Sequence, residues 1–294
     1  MVRQWFRLGA SAGLGWTCFG CAILFWPPDH RQFRCTFLAV GHGGCTVIET
    51  PGNRVILYDA GAINGPDVTR RQIAPFLWSR GYRRIDEIIV SHGDLDHFNG
   101  VPGLLERFAV GQVILTPSFA DHTTPGISYT LRTLTRMGLK HRVIHAPTTW
   151  ETDGIAFEVL HPPARGPEGI ENVRSLVLHV RYEGLSMLLT GDLEEPGLTR
   201  VLSSPARPVD VLMAPHHGSP TSNTKELAAW ARPKFVVSCQ GAPKSTVREP
   251  NPYEAIGARW LSTWSQGAVT VRRDGAAWTV ETFATGNRWP VVQE

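Results

Sequence analysis

Four metal-competent side chains fall within six residues at His92-Gly-Asp94-Leu-Asp96-His97. With 11 His and 11 Asp in 294 residues, an H-x-D-x-D-H match is expected by chance about 6 × 10⁻⁴ times per chain, so the cluster needs a chemical reading. It directly follows Ile85–Val90, a stretch that reads as a buried strand. Ligands of α/β folds bind beyond the carboxyl ends of such strands. In a tight loop, His92 and Asp94 can turn to one ion while Asp96 and His97 turn to another. Imidazole and carboxylate together suit Zn²⁺, Mn²⁺ or Fe.

Two further apolar runs end in ligand-type residues. Leu188-Leu-Thr-Gly-Asp192 supplies a carboxylate able to bridge two cations, and Val211-Leu-Met-Ala-Pro-His216-His217 supplies two adjacent imidazoles. Taken singly, Asp192 could be a turn residue after a glycine, and His216-His217 a solvated pair. Asp59, at the end of another apolar run, could equally be a strand-end turn. Together they are harder to explain by stability, because buried polar groups without partners cost several kcal/mol, roughly 2–7 on transfer scales.

The elements needed to hold these loops alternate along the chain. Strands are expected at Cys35–Val40, Thr46–Glu49, Val55–Tyr58, Ile85–Val90, Gln112–Leu115, Ala156–Leu160, Ser175–Arg181, Ser186–Leu189, Val209–Met213 and Phe235–Val237. Helices are expected at Thr69–Arg80, Pro102–Phe108, Ser128–Met137, Leu198–Leu202 and Lys225–Trp230, the last capped by Asn223 or Thr224. Ala268–Arg272 and Trp278–Thr282 read as a hairpin through Asp274-Gly275. The composition, 42% hydrophobic and 19% charged, excludes collagen, coiled coil and wholesale disorder. A balance of 29 Lys+Arg against 26 Asp+Glu, net +3, decides neither for nor against a nucleic-acid partner.

Residues 1–30 differ from the remainder. Leu8–Trp26 is a run of 19 residues without a formal charge, preceded by Arg3 and Arg7 and followed by Pro27-Pro28. Roughly 20 apolar residues span a bilayer, so the reading is a single membrane-anchor helix. The basic flank favours an N-in orientation and a chain otherwise outside the cytoplasm, against which Arg31 and Arg34 weigh. A cleavable signal peptide would need a small-x-small site that residues 24–30 do not offer. Five cysteines are too scattered for a disulfide framework, and Cys18-x-x-Cys21 falls inside the apolar run.

These motifs resemble the metallo-β-lactamase superfamily, and within it the soluble domain of ComEC-type DNA-uptake proteins. The matching pieces are VGHGG (Val40–Gly44), Leu57-Tyr-Asp59-Ala-Gly61, SHGDLDHFNG (Ser91–Gly100), LLTGD, APHHGS and GAVTV (Gly267–Val271), in that order. The resemblance implies an α/β fold, a four-layer αββα sandwich, over residues 31–294, and a site for two divalent metal ions, Zn or Mn. It implies His92 and Asp94 on the first metal, Asp96 and His97 on the second, Asp192 bridging them, and His216 as the late histidine. Either His216 or His217 fits that last place; the other could donate a proton or meet a phosphate. Asp59 matches a position that orients the metal loop.

The chain also departs from the pattern. Asp94 stands where most of the superfamily has a second His, and Asn172-Val-Arg-Ser175 occupies the region of a mid-chain histidine. First-metal coordination would then rest on His92, Asp94, Asp192 and solvent, with Asn172 a further candidate, a donor set that shifts the odds towards Mn²⁺. Gly44 replaces an Asp, and Ser238-Cys-Gln-Gly lacks a Gly-His-Pro segment, for which Pro250-Asn-Pro252 is a weak substitute.

The resemblance implies metal-dependent hydrolysis of a phosphodiester, DNA above all. Asp96 would orient the attacking water, and His216 or His217 would stabilise or protonate the leaving oxygen. Arginines at 70–71, 80–84, 132–142 and 272–273 could line a DNA track or simply solvate the surface. Two other functions stay open: hydrolysis of a small amide, ester or lactone, and a non-catalytic DNA-binding or assembly role. The implied partners are DNA, the membrane through the N-terminal helix, and a separate membrane channel protein.

Overall fold

The structure is a computed structural model that describes residues 31–121, 123–243 and 251–291, with residue 16 alone among the first thirty. The expected anchor over residues 8–26 and the Cys18–Cys21 pair therefore lie outside the described residues, Trp16 excepted. So does Pro250. Among the described residues no helix is long and apolar enough to cross a membrane.

Two sheets carry the strands. The first is entered by β1 (Arg34–Phe37), β2 (Thr46–Glu49), β3 (Val55–Tyr58), β4 (Arg84–Ile89), β5 (Ala109–Leu115) and β6 (His141–Val143). The chain then crosses to the second through β7 (Thr148–Thr152), β8 (Ile155–His161), β9 (Val177–Tyr182), β10 (Leu185–Leu189), β11 (Val211–Met213), β12 (Phe235–Ser238) and β13 (Arg259–Ser262). It returns with β14 (Val269–Asp274), β15 (Ala277–Thr282) and β16 (Arg288–Val291). The first sheet runs β16-β15-β14-β1-β2-β3-β4-β5-β6 and the second β13-β12-β11-β10-β9-β8-β7.

Side-chain alternation assigns each strand two faces. Cys35, Phe37, Ile48, Ile56, Tyr58 and Ile89 meet Phe157, Val159, Leu178, Met187, Leu189 and Val237 in one core between the sheets. The other face of the first sheet, with Val47, Leu57, Ile88 and Val113, is covered by Ile73, Leu77, Leu104, Ile127 and Leu134 from its helices. Leu188, Leu212 and Val236 of the second sheet meet Leu198, Leu227 and Trp230 on the far side. Helix, sheet, sheet and helix form four layers. Burying each large apolar side chain contributes about 1.5–3 kcal/mol, so the three cores dominate stability.

The strands β3, β4 and β5 are mutually parallel, as are β10, β11 and β12. Their carboxyl ends therefore open on one edge of the sandwich, where the Asp59, Ser91–His92, Asp192, His216–His217 and Cys239 loops meet. The helix Lys225–Ala231 is capped by Thr224, whose Oγ1 accepts from the Leu227 N–H at 3.2 Å. Four strands were not expected: β6, β7, β13 and β16. β6 is exposed throughout and β16 contains Pro290, both marks of edge strands, which lack the apolar run that signals burial.

Candidate metal centre

Asp59 follows β3 at a φ of +62°, turning a fully buried carboxylate into the space between the loops. Its Oδ1 accepts from the Ser91 N–H at 2.7 Å, and its Oδ2 from the Ser91 hydroxyl at 2.8 Å. Oδ2 also accepts from His97 Nδ1–H at 2.8 Å. An ionised carboxylate only accepts, so the His97 proton is fixed on Nδ1 and Nε2 is left to face the cleft. Gly61 lets the loops close: a Cβ there would lie 2.5 Å from the Asp96 carbonyl carbon. Gly44 is similarly confined, with a Cβ placed 3.0 Å from His97 Nδ1 and 3.1 Å from Asp59 Oδ2. Its departure from Asp thus leaves the Asp59–His97 pair undisturbed.

His217 is oriented by the same logic from the second sheet. Its Nδ1–H donates to the Cys239 carbonyl at 2.7 Å, and its own carbonyl accepts from Ser238 Oγ at 2.8 Å. The Ser238-Cys239 segment, divergent in sequence, serves here as the brace for this imidazole. His217 Nε2 then lies 3.1 Å from Asp192 Oδ2, 3.3 Å from Asp96 Oδ2 and 3.3 Å from His97 Nε2. His97 Nε2 is 3.1 Å from Asp192 Oδ1. One donor atom each from Asp96, His97, Asp192 and His217 falls within 4.8 Å of all the others.

The electrostatics fit a cation. Burial alone would neutralise His97, yet Asp192 and Asp59 outweigh it and hold its pKa well above the usual imidazole value. For His217, burial is again outweighed by Asp192 and Asp96, which raise it to about 9. Burial pushes Asp96 up, but the His217 hydrogen bond and the charge of His97 bring it down to about 2. Burial is overcome in the same way for Asp192, held well below the carboxylate range by His97 and His217. Protons on the two imidazoles thus supply the positive charge these carboxylates require, and a divalent ion would displace them.

His92 stands beside this group. The Ser91 hydroxyl is committed to Asp59, so His92 Nδ1–H must donate to Ser91 Oγ at 2.9 Å. Its Nε2 therefore carries a free lone pair, buried and without a hydrogen-bond partner. Burial, then the nearby His97, lowers its pKa to about 3, so the ring is neutral. Asp94 Oδ2 is 3.7 Å from that Nε2. An orphaned, neutral imidazole nitrogen next to a carboxylate is the form in which His binds metal.

The structure brings Asp96, His97, Asp192 and His217 into one group and sets His92 and Asp94 beside it as a pair. His216 turns elsewhere: its Nδ1–H donates to Glu194 Oε1 at 2.6 Å, and its Nε2 lies 3.9 Å from Asp192 Oδ2. Of the two adjacent histidines, His217 is thus the one that the structure brings into the group with Asp96, His97 and Asp192. Three contributors were not anticipated. His42 has its ring 4.1 Å from that of His217 and its Nε2 3.9 Å from Asp96 Oδ2. Glu194 holds His216, and Ser91 links Asp59 to His92. Glu194 lies two residues past Asp192, and His42 lies inside the glycine-rich start. Of the arginines considered for a DNA track, 70 and 71 pair with Asp67, 80 with Glu49, 84 with Asp86 and 272 with Glu281.

Residues 38–237 match the model of the metallo-beta-lactamase superfamily. The chain is 30% identical over 239 residues to ComE operon protein 3 of Bacillus subtilis (strain 168), covering 75% of this chain and 30% of that protein. It is 30% identical over 233 residues to Competence protein ComA of Neisseria gonorrhoeae, covering 77% of this chain and again 30% of the relative. The chain thus spans less than a third of the length of these two relatives. Among solved structures, the metallo-beta-lactamase fold protein YhfI of Bacillus subtilis superposes with a TM-score of 0.51 at 10% identity, covering 81% of this chain and 99% of that one. That likeness concerns the fold alone.

Proposed function

The chain belongs to the metallo-beta-lactamase superfamily, and from that membership we propose that it is a metal-dependent phosphodiesterase acting on DNA. The observation that carries the reading is the convergence of Asp96, His97, Asp192 and His217 at the strand ends. These four residues would hold one divalent ion, from here on the first, with His92 and Asp94, the pair that the resemblance set on its first metal, opening a second position beside it; Zn²⁺ and Mn²⁺ both suit such donors. Bound ions of this kind lower the pKa of water and offset charge on a phosphoryl group during in-line attack.

The protein's own contribution is orientation. Asp59 and the Cys239 carbonyl keep both imidazoles with Nε2 towards the cleft. Asp96 lies at the boundary between buried donors and solvent, its side chain 15% exposed, where a carboxylate oxygen can accept a hydrogen from an attacking water and aim its lone pair. His42 and His216, both partly exposed at the mouth, are placed to meet a phosphate oxygen or to protonate a leaving one. DNA as substrate is supported by the likeness to competence proteins. We extend the same reading to the setting: residues 8–26 anchor the domain outside the cytoplasmic membrane, and a separate channel protein is its partner in DNA uptake.

The test is incubation of the full chain with single- and double-stranded DNA in Mn²⁺, Zn²⁺ or EDTA, beside Asp96→Ala. Metal-dependent cleavage lost in the variant is the expected result. Bound metal without cleavage moves the reading to a small ester, amide or lactone. Neither metal nor cleavage leaves a DNA-binding or assembly role.

A further inference from the structure

His92 Nε2 is not the one buried polar atom left without a partner in this part of the molecule. Asn172 Oδ1 is also buried and makes no hydrogen bond. The two residues lie on neighbouring segments. The Ser91 carbonyl accepts from the Leu176 N–H at 2.9 Å, and the Gly93 N–H donates to Glu171 Oε2 at 3.1 Å. Residues 91–93 therefore run alongside residues 171–176, and Asn172 sits in the short turn Glu171–Arg174 with 6% of its surface exposed. The next loop of the centre is tied to the same turn, for the Asp192 N–H donates to Ser175 Oγ at 3.2 Å.

The orientation of the amide follows from its partner. Asn172 Nδ2–H donates to Glu194 Oε2 at 3.4 Å, and a reversed amide would set two oxygens against each other. Glu194 is itself held through its other oxygen by His216 Nδ1–H at 2.6 Å. His216 and Glu194 thus form a brace that turns Oδ1 away from the carboxylate. A buried amide oxygen deprived of any donor is costly unless something else fills that role.

We infer that Asn172 Oδ1 is a ligand, together with His92 Nε2 and Asp94, of a second cation position that is poorer in imidazole than the Asp96–His217 group. Two oxygen donors and one nitrogen suit Mn²⁺, whereas the neighbouring group, with two imidazoles, suits Zn²⁺. The paired histidines divide the work: His217 turns its nitrogen to the first ion, and His216 is a positioning residue that acts on the second through Glu194 and Asn172. This assignment rests on the two-ion reading above.

The experiment titrates the metal-free full chain with Mn²⁺, counting bound ions by electron paramagnetic resonance, and then with Zn²⁺. Wild type is expected to take two Mn²⁺. Asn172→Ala weakens the second by about tenfold or more and leaves the first unchanged, and Glu194→Gln weakens it less. Asn172→Asp, which keeps an oxygen and adds charge, retains both ions. Asn172→His tightens the second Zn²⁺ by about tenfold, because an imidazole replaces an amide. Asp and His variants keep the question answerable if the alanine variant fails to fold. An unchanged second affinity in both Asn172→Ala and Asn172→His overturns the assignment, as does a wild-type chain that binds a single Mn²⁺. Parallel DNA cleavage separates the two readings. Two bound ions, the second of them Asn172-dependent, without cleavage uphold the ligand and remove the DNA substrate, whereas cleavage with one ion does the reverse.

Discussion

The two halves of the candidate metal centre are built differently. The Asp96–His97–Asp192–His217 half is assembled in advance: each imidazole has its Nδ1–H tied to a fixed acceptor, Asp59 in one sheet and the Cys239 carbonyl in the other. The His92–Asp94 half is open, with Asp94 partly in solvent and its Nε2 neighbour unpaired. The difference teaches where rigidity comes from. A buried strand-end carboxylate and a backbone carbonyl hold one half, while the other hangs on a loop residue and a side-chain brace. The first half should therefore bind its ion more tightly and lose more when a support is removed.

The largest expected effect sharpens this contrast at the adjacent histidines. His217→Ala removes a donor from the assembled half, so metal uptake there should fall at least about 100-fold and cleavage should vanish. His216→Ala leaves the donors of that half in place and, as far as metal is concerned, removes only a brace, so the loss of metal affinity should stay near tenfold. Metal titration of the two variants checks this, and equal losses would break the division of labour between them. Next in size is Asp59→Asn. Its amide can still meet His97 but lacks the charge that favours the Nδ1–H form, so affinity should drop by about 10–100-fold. Substituting Glu194 by Gln should cost less, and a reversed ranking would show that the open half is the tighter one.

These contrasts mark what the sequence could reveal. The HGDLDH loop and Asp192 stand out in the sequence because residues of ligand type follow apolar strands, and the four layers are legible because each strand shows its buried face. The choice between His216 and His217 is not. Adjacent residues differ in direction by backbone torsions, and both here adopt left-handed φ values, +48° and +52°, that no residue type announces. His42 and Glu194 act through tertiary closure, each a single residue without a run around it. Edge strands β6 and β16 were hidden for a related reason: half-solvated strands need no continuous apolar stretch. Asn172 lay in a segment already marked by a missing histidine, but only the orphaned oxygen gives it a role.

Proton linkage offers a smaller effect that also separates the halves. His97 and His217 are raised above the ordinary imidazole value, His217 to about 9. A raised histidine contributes stability that is complete below about pH 6.5 and is lost as pH climbs through the folded value. His92 has the opposite sign: lowered to about 3, it costs stability as pH falls below about 6.5 and is silent above it. Between about pH 6.5 and 8, below the range where the thiols of unfolded Cys35, Cys45 and Cys239 ionise, the metal-free protein should therefore lose thermal stability chiefly through the assembled half. Added Zn²⁺ should raise the melting temperature more at pH 8.5 than at pH 6, since ligands must shed protons to bind. A melting temperature that is flat with pH in the metal-free protein, and a metal-induced rise equal at both values, would sink the claim that the two imidazoles are protonated in the cluster.

The smallest effect tests whether the assembled half depends on general stability or on its own supports. Thr224 caps the helix Lys225–Ala231, and Thr224→Ala should cost about 1 kcal/mol, visible as a lower denaturation midpoint. Its neighbour Asn223 donates from Nδ2 to the Pro215 carbonyl at 2.9 Å and accepts from Tyr253 at 3.0 Å, tying this loop to the His216–His217 turn. Losing the cap leaves those bonds in place, so metal affinity in Thr224→Ala should match wild type. Asn223→Ala removes them, and affinity should fall even where the stability loss is similar. If instead both variants lose metal in proportion to stability, the centre is only as ordered as the whole domain, and its bracing carries no separate weight.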